Sequence, residues 1–544
     1  MPDKNDILQR NGIRDAATAA WLKAEAPFFE CPDPAFERLW YYRWALVRRH
    51  LVFVPEINGH ILTEFDSDKP LYWAGPFNSI VGASDHHVNE ARWLRSARYA
   101  AEYLRFWLAH PAAQRQNYSA ALADSVWSLH CARGDDALRP AALLDALAAN
   151  HECWRKECAE YPHDRGHDAA RGLYWNTGRD SSGEYNLASA QLNEPLRGIQ
   201  GYKVRGGAGY RPDINADQFA DALAISRLAR IAGRDELADG FARRARDLRA
   251  AVHAQLWDPA RQFFLHRWRR DEYSEGDRHG APTIRAGSLV WETNADRHGG
   301  VGHQPRERGE GRGRELTGYL PWYRGLADDT PEFAAAWRFL LDPEYFYAPY
   351  GPASAERHDP WFSIQCDCRV NGNSFPLNTS RVLNAAARLL HEHRHHGPMT
   401  PRAYFDLLSI YARTQSRDGA PYLAEFHHPD RDCWLVDRPI GAHYFHSSFC
   451  DLVITGLLGV RPRAGGSLLV RPLLPENTWD YFALRDLPWQ GRLVTLLWDR
   501  TGKKYGAPGL RLFLDNQERA TAPALGPALL VPAAEGRPEE CLAT

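Results

Sequence analysis

Seven stretches of the chain repeat apolar residues at three- and four-residue intervals, the signature of a helix with one buried face. They are YAAEYLRFWLAHP (99–111), RPAALLDALAANHECWRKECAEY (139–161), ADQFADALAISRLARIAG (216–233), DELADGFARRARDLRAAVHAQLW (235–257), TPEFAAAWRFLL (330–341), TSRVLNAAARLLHEH (379–393) and PRAYFDLLSIYARTQ (401–415). Several open at Pro, Asp or Thr, residues that start helices. Strand-like alternation is nearly absent before residue 460, so the body of the chain is expected to be all-α with long connecting loops. After GVRPRAGGS (459–467) the period shortens, and SLLVRPLLP, YFALRDLPW, GRLVTLLWDR and GLRLFLDNQ alternate between Gly, Pro and Asp turns. These runs predict a small antiparallel β unit with Trp479, Tyr481, Trp489 and Trp498 in its core. The organisation expected is a lead-in segment at 1–34, a helical body at 35–460 and a β domain with a fraying tail at 461–544.

No fixed-length repeat is visible in the body, which argues against a short-repeat solenoid. Paired helices joined by alternating short and long loops fit hairpins arranged in a ring, an (α/α)6 barrel whose loops line a funnel at one end. Periodicity alone is equally consistent with another large all-α arrangement.

Composition narrows the function. At 544 residues with 44% hydrophobic content, the chain can build one large domain and an accessory one. The formal charge of −2 leaves no basic field for nucleic acid or an anionic membrane, so the expected partner is a neutral small molecule. No apolar run approaches the roughly 20 residues that cross a bilayer, and the first residues lack the apolar core of a signal peptide, giving the expectation of a soluble, cytoplasmic protein. Nine cysteines, an odd number, do not form a disulfide framework. The close pair Cys366 and Cys368 has no second pair to complete a zinc site, so both are expected to be small buried side chains. The histidines of HEHRHHG (391–397) read as a solvated helix end. Neither a metal nor an organic cofactor is expected.

The candidate chemistry lies in carboxylates among rings. Aromatic residues make up 12% of the chain, many of them beside Gly, Pro or Asp in loops, where rings commonly stack on a ligand. Glu425 stands in one such stretch, YLAEFHHPDRDCW, and GRDSSGEYN (178–186) offers Asp180 and Glu184 far upstream. Inverting hydrolysis of a glycosidic bond needs a protonated carboxyl at the leaving oxygen and a carboxylate that activates water on the opposite face, roughly 6.5–9.5 Å away. Glu425 is the candidate base, and Glu184 or Asp180 the candidate acid. Apolar neighbours such as Tyr185 and Trp175 would favour a protonated Glu184. Arg211 and Asn215, at a predicted helix start, are candidates for sugar hydroxyls, with Arg211 pairing to Asp213 or Asp217 as the structural alternative. Trp73, Trp175, Trp322 and Phe375 are candidates for the apolar face of a sugar, with core packing the alternative for each. Glu315 is a third carboxylate near Trp322, either a substrate ligand or the partner of Arg312 or Arg314.

Five segments in this order resemble the inverting six-hairpin glycosidases: trehalases (glycoside hydrolase family 37), family 63 glucosidases and mannosylglycerate-hydrolase-like glycosidases. They are LYWAGPFNSIVGASDHHVNEARWLRSARYAAEYLRFWL (71–108), GRDSSGEYN with GYRPDINADQFADALAI (209–225), ELTGYLPWY (315–323), NGNSFPLNTSRVLNAAARLL (371–390), and the Glu425 segment with its aromatic-His-Ser run. The resemblance covers most of residues 35–460. It implies an (α/α)6 catalytic domain, an exo-acting glycosidase, a neutral oligosaccharide or glycoside substrate, and site roles for Asn371 in the NGNSFP turn and His446 in the aromatic-His-Ser run. In these families the acid is an aspartate just after a Ser-Gly step. Here Glu184 aligns best with that step and Asp180 precedes it by four, so both stay open.

Two rival classes remain. A phosphorylase on the same scaffold would need basic and hydroxyl groups near the base, for which Arg438, His443, His446, Ser447 and Ser448 are available. A non-catalytic sugar-binding protein would keep the rings without needing opposed carboxylates. A polysaccharide lyase would require a basic cleft that this balanced chain does not suggest.

Overall fold

The structure is a computed structural model that describes residues 2–67, 69–71, 74–134, 138–155, 165–176, 187, 209–268, 313–359, 362–366, 370–436 and 438–532. Its helices are α1 (Lys4–Arg10), α2 (Ala16–Glu25), α3 (Pro34–His50), α4 (Ser84–Ala91), α5 (Arg98–Ala109), α6 (Leu122–Arg133), α7 (Pro140–Arg155), α8 (Pro212–Ile231), α9 (Asp235–Leu256), α10 (Leu320–Tyr323), α11 (Pro331–Ala334), α12 (Pro376–Glu392) and α13 (Pro401–Thr414). A π-helix at Leu452–Leu457 follows. Each periodic stretch read from the sequence is helical where it is described, although 330–341 splits into one α turn and a 3-10 helix at Ala335–Leu341. Proline sits in the first turn of α3, α8, α12 and α13, where its missing N–H costs no helical hydrogen bond.

Two kinds of helix alternate. In α9 the buried residues Ala238, Phe241, Ala245, Leu248, Val252 and Leu256 form one stripe, as in a helix with one face to solvent. In α8, by contrast, buried residues run almost without interruption from Pro212 to Ala229. Helix α4 packs on α6, α6 on α8, α8 on α10, α10 on α12, and α12 on the π-helix. Behind them α5, α7, α9 and α13 each pack on at least one member of that series.

Small sheets interrupt the helical body, which departs from the all-α expectation. Leu51–Val54 pairs with Gly59–Leu62, and Arg165–Asp168, Leu173–Asn176, Gly209–Tyr210 and Arg267–Trp268 form a four-stranded sheet. Strands of two to four residues are too short to display a two-residue period. The C-terminal β unit is present as expected, with Trp479, Trp489 and Trp498 buried. Its five-stranded antiparallel sheet gains an edge from the lead-in segment, because Phe28–Glu30 pairs with Tyr481–Trp489 in the register Phe28↔Arg485 and Glu30↔Ala483. Cys366 is exposed, contrary to the expectation of a buried thiol, and Cys368 lies outside the described residues. No helix among the described residues is long and apolar enough to cross a membrane.

The helix starts are tied to one another by buried carboxylates. The Asp221 side chain on α8 accepts Ala123 N (2.8 Å) and Asp124 N (3.1 Å), satisfying donors that the uncapped first turn of α6 leaves free. Glu90 on α4 does the same for the last helix, accepting Phe449 N and Cys450 N. Arg92 and Trp93 add bonds to Asp451 (2.6 and 2.7 Å), closing the series back on α4. At the centre stands Arg324, just after α10, which donates to Asp85 of α4 (2.8 Å), Asp217 of α8 (2.8 Å) and Asp124 of α6 (3.1 Å). Asp85 also receives Arg381 of α12 (3.2 Å). Burial opposes the charge of Asp85, but Arg381, His86 and Arg324 together hold its carboxyl well below the usual carboxylate range.

Removing the guanidinium alone leaves buried carboxylates without a counter-charge, which costs about 3–5 kcal/mol. Arg324→Met is therefore expected to lower the urea midpoint strongly. Asp124→Asn, at a carboxylate whose side chain is 34% exposed, should cost about 1 kcal/mol or less. Equal effects of the two substitutions would refute a central role for Arg324.

Candidate active site

The residues singled out from the sequence collect just ahead of helix starts. Arg211 and Phe375 each precede a proline that opens a helix, and the ring of that proline forces them into extended conformations (φ −113°, ψ 142° and φ −112°, ψ 110°). Glu315 is likewise extended before the 3-10 turn Leu316–Tyr319 that leads into α10. His446 lies shortly before the last helix.

A ladder of extended segments connects these loops. Glu315 bridges Ala355, and Leu316 N donates to Ser354 O (2.9 Å). Ser354 N then donates to Asn373 O (3.1 Å), and Ser374 exchanges both main-chain bonds with His427 (3.0 and 2.9 Å). Ser363 joins from the side, where a side chain at Gly372 would collide with its main chain. Segments far apart in sequence thus form a common floor from Glu315 to His427, two residues beyond Glu425. Phe426, between them, stacks on Phe375 with centroids 4.4 Å apart.

Glu315 occupies a buried, carboxyl-rich pocket. Its Oε1 accepts Leu187 N (2.9 Å), its Oε2 lies 3.5 Å from His266 Nδ1, and only 8% of the residue is exposed. Burial pushes its carboxyl up to about 8; Arg211 and the Leu187 N–H act against that rise, and Asp213 and Asp359 add to it. Burial is the largest cause of that rise, so the neutral form of Glu315 is the favoured one in this pocket. Arg314 pairs with Glu356 (2.6 Å), so it is not the partner of Glu315.

The other candidates divide. Asn215 spends both amide protons on Tyr174 O and Arg211 O (2.9 and 2.8 Å), and its Oδ1 accepts Tyr174 N (2.8 Å). It clamps strand to helix, which corrects its expected role on sugar hydroxyls. Trp322 takes its core alternative: it is 1% exposed and packs edge-on against Phe264 and Trp337. Trp175 is buried beside Tyr210, its indole lying where a side chain at Gly166 would have to go. The rings of Phe375 and His446 come together with centroids 5.2 Å apart, and Tyr444 lies 4.0 Å from His446. Burial, with His86 nearby, holds His446 well below the ordinary imidazole value, so it is a neutral ring. Asn371 is buried in the ladder, where its main-chain oxygen accepts Ser363 N. Glu425 is half-buried. Trp73, Asp180 and Glu184 lie outside the described residues.

Of the hydroxyls weighed for a phosphate, Ser447 Oγ takes Tyr411 (3.0 Å) and Arg43, and Ser448 Oγ bonds His86 (2.9 Å). Both are internal ties. Among the described residues no group of three or more His, Cys, Asp or Glu has the arrangement of a metal site. Sequence reading missed Asp359, His266 and the Leu187 N–H, whose relation to Glu315 depends on segments that only folding brings together. Asp213, two residues after Arg211, was visible only as a pairing partner.

A family profile described as the mannosylglycerate hydrolase MGH1-like glycoside hydrolase domain matches residues 76–447. No curated protein gives a significant match. Among solved structures, one titled sialidase superposes with a TM-score of 0.80 at 26% identity, over 97% of this chain and 44% of that one. The present chain therefore spans less than half the length of that protein. A GH63 mannosylglycerate hydrolase from Thermus thermophilus, in complex with Tris and D-glycerate, superposes over 75% of this chain and 98% of its own, with a TM-score of 0.51 and 13% identity. An uncharacterized conserved protein from the same organism does so over 77% and 100% at 14% identity and a TM-score of 0.51. At such identities the likeness is one of fold. The motif resemblance to mannosylglycerate-hydrolase-like glycosidases agrees with the profile match.

The Glu315 pocket has a consequence for stability. An unfolded glutamate loses its proton near about 4.3, whereas the folded one keeps it to about 8. The folded state holds the extra proton between these values, so this group's contribution makes stability fall as pH rises through that window. Glu315→Gln cannot ionise and keeps an oxygen for Leu187 N–H. Its melting temperature should fall less between pH 5 and 9 than that of the wild type, and an unaltered pH dependence would contradict a stored proton at Glu315.

Proposed function

The chain belongs to the mannosylglycerate hydrolase MGH1-like glycoside hydrolase family, and from that premise we propose that it hydrolyses a terminal O-glycosidic bond of an uncharged glycoside or oligosaccharide with inversion. The alternating inner and outer helices are, on this reading, an (α/α)6 toroid with the site at the end where the inner helices begin. The observation that carries the reading is the extended ladder. It brings the loop of Glu425 onto the same floor as Glu315, and Glu315 in turn holds Leu187, three residues after Glu184.

In this mechanism Glu425 is the base and Glu184 the acid, with Asp180 the alternative for the acid. Glu425 takes a proton from water as the water oxygen bonds to the anomeric carbon. The bond from that carbon to the leaving oxygen breaks, and that oxygen takes the proton of the acid. The carboxyl-rich pocket around Glu315 disfavours an anionic group, in keeping with an uncharged substrate.

Loss of the base removes an interaction made in the transition state. Glu425→Gln is expected to lower kcat by about 10²–10⁴-fold with little change in KM. Near-normal turnover by a folded variant would exclude Glu425 from the mechanism. Proton NMR of the nascent product should show the inverted anomer first. Early retention, or a trapped glycosyl-enzyme, would overturn the single displacement.

The acid is identified by leaving-group dependence. Whichever of Glu184→Gln and Asp180→Asn removes the acid should spare aryl glycosides with good leaving groups far more than natural glycosides. If both variants treat the two substrate classes alike, neither residue is the donor.

A further inference from the structure

The segment that bears Glu425 also carries a connected wall of rings that the mechanism above leaves unused. His427 and Trp434 face each other across an antiparallel bridge, with Leu435 N donating to Phe426 O (2.8 Å) and His428 N to Cys433 O (2.9 Å). Their rings meet edge to face with centroids 4.9 Å apart. Tyr350 stacks on His427 at 5.8 Å with 27° between the planes, and Tyr422 meets Trp434 edge-on at 5.8 Å. Hydrogen bonds fix the wall: Trp434 Nε1 donates to Ser416 O (3.1 Å) and Tyr350 N to Pro429 O (3.0 Å). The turn between the two bridged residues is held by both arms of Arg357 on Asp430 (2.6 and 3.0 Å).

The wall stands at the mouth of the site. His427 is two residues after Glu425, and two residues of extended chain span at most about 7 Å. Exposure rises from Phe375 and His446, which are buried and in ring contact, to Glu425, Trp434 and Tyr350, which are half-buried. The only donor of the Trp434 indole is spent on Ser416 O, so the part of the ring left accessible is hydrocarbon. Behind it Tyr422 and His427 are 4% and 2% exposed. A large apolar surface already held in one orientation loses little freedom when a ligand covers it.

We propose that Trp434 and Tyr350 form a subsite for a second, neutral sugar ring, the one that carries the leaving oxygen. The inference rests on the glycosidase reading above and deepens it, from any uncharged glycoside to a substrate of at least two sugar units. The apolar C–H face of that ring packs on the indole. Its hydroxyls meet acceptors at the rim, among them Asp432, whose carboxylate is 64% exposed and stands 3.5 Å from His427 Nε2.

The test uses the full chain and two readouts. The first needs no turnover: saturation-transfer difference NMR with thio-linked disaccharides of glucose, mannose, galactose and rhamnose, whose sulfur bridge resists hydrolysis. Saturation of the protein's aromatic protons should pass to C–H protons of the reducing-end ring of at least one of these, and Trp434→Ala should lose most of that signal. The second readout compares a disaccharide with the methyl glycoside of the same terminal sugar. The ratio of their kcat/KM values should fall about tenfold in Trp434→Ala and no more than about threefold in Trp434→Phe, which keeps a ring. A purely structural role for the indole would lower both substrates alike and leave the ratio where it was. If Trp434→Ala does not fold, Tyr350→Ala, at the end of the wall, should lower the ratio about threefold. Equal losses on the two substrates, a phenylalanine variant as impaired as the alanine variant, or no saturation transfer to the reducing-end ring of any thio-disaccharide would each overturn the subsite. A wild-type protein that turns over no glycoside would overturn the glycosidase reading itself, and the NMR result would still decide for or against the subsite.

Discussion

One guanidinium holds the helical body in register. Arg324 meets carboxylates from α4, α6 and α8, and Asp85 passes the connection on to Arg381 of α12. Asp85 and Asp124 lie in first turns, and Asp217 and Arg381 in second turns, so the early parts of four helices converge on one point. Placing acids near helix starts and the cation after the short α10 also suits the helix dipoles, whose N-terminal ends favour negative charge. Apolar packing can slide by a turn at modest cost. A buried ion network cannot, because each misplaced charge loses its partner in a medium that solvates it poorly.

That registration places the loops. Once the helix starts are level, the segments ahead of them lie side by side, and residues preceding proline are extended and ready to pair. The ladder from Glu315 through Ala355 and Asn373 to His427 follows, with Gly372 permitting the close approach of Ser363. A carboxylate borne on a ladder is better fixed than one on an unpaired loop, which matters wherever chemistry depends on position.

The same burial that orders these helices alters their acids. Glu90 is pushed up to about 7 by burial against the pull of Arg43, and Asp221 is raised by burial with Asp124 and Asp217 nearby. Both accept main-chain N–H groups of a neighbouring helix, which they can do whether or not they are ionised. Glu315 belongs to this class and differs in its place: it stands at the loop end beside Arg211, with Leu187 as its main-chain partner. These buried carboxyls differ in where they stand, with little difference in electrostatic character.

Helices α5, α7, α8, α9, α12 and α13 were legible in sequence because their apolar residues recur over three or more turns, and the C-terminal strands because they alternate for six to nine residues. The rings at 479, 489 and 498 were rightly read as core. The short strands near 51–62 and 165–176 were not legible, since two to four residues carry no period. At the site, residue type left two readings open for Trp322 and a polar role for Asn215, and folding puts the Trp322 ring in the core and the Asn215 amide on the main chain. Sequence by itself determined the helical class, the β appendage and the set of acidic and aromatic residues available for chemistry, because these depend on local period and composition. Tertiary structure alone decided which of them meet: that Leu187 finds Glu315, that Phe28–Glu30 closes a sheet with residues 481–489, and that Arg324 gathers three helices. Such contacts join residues tens to hundreds of positions apart, and no local pattern of apolar and polar positions encodes which distant partner a buried charge or an unpaired N–H will find.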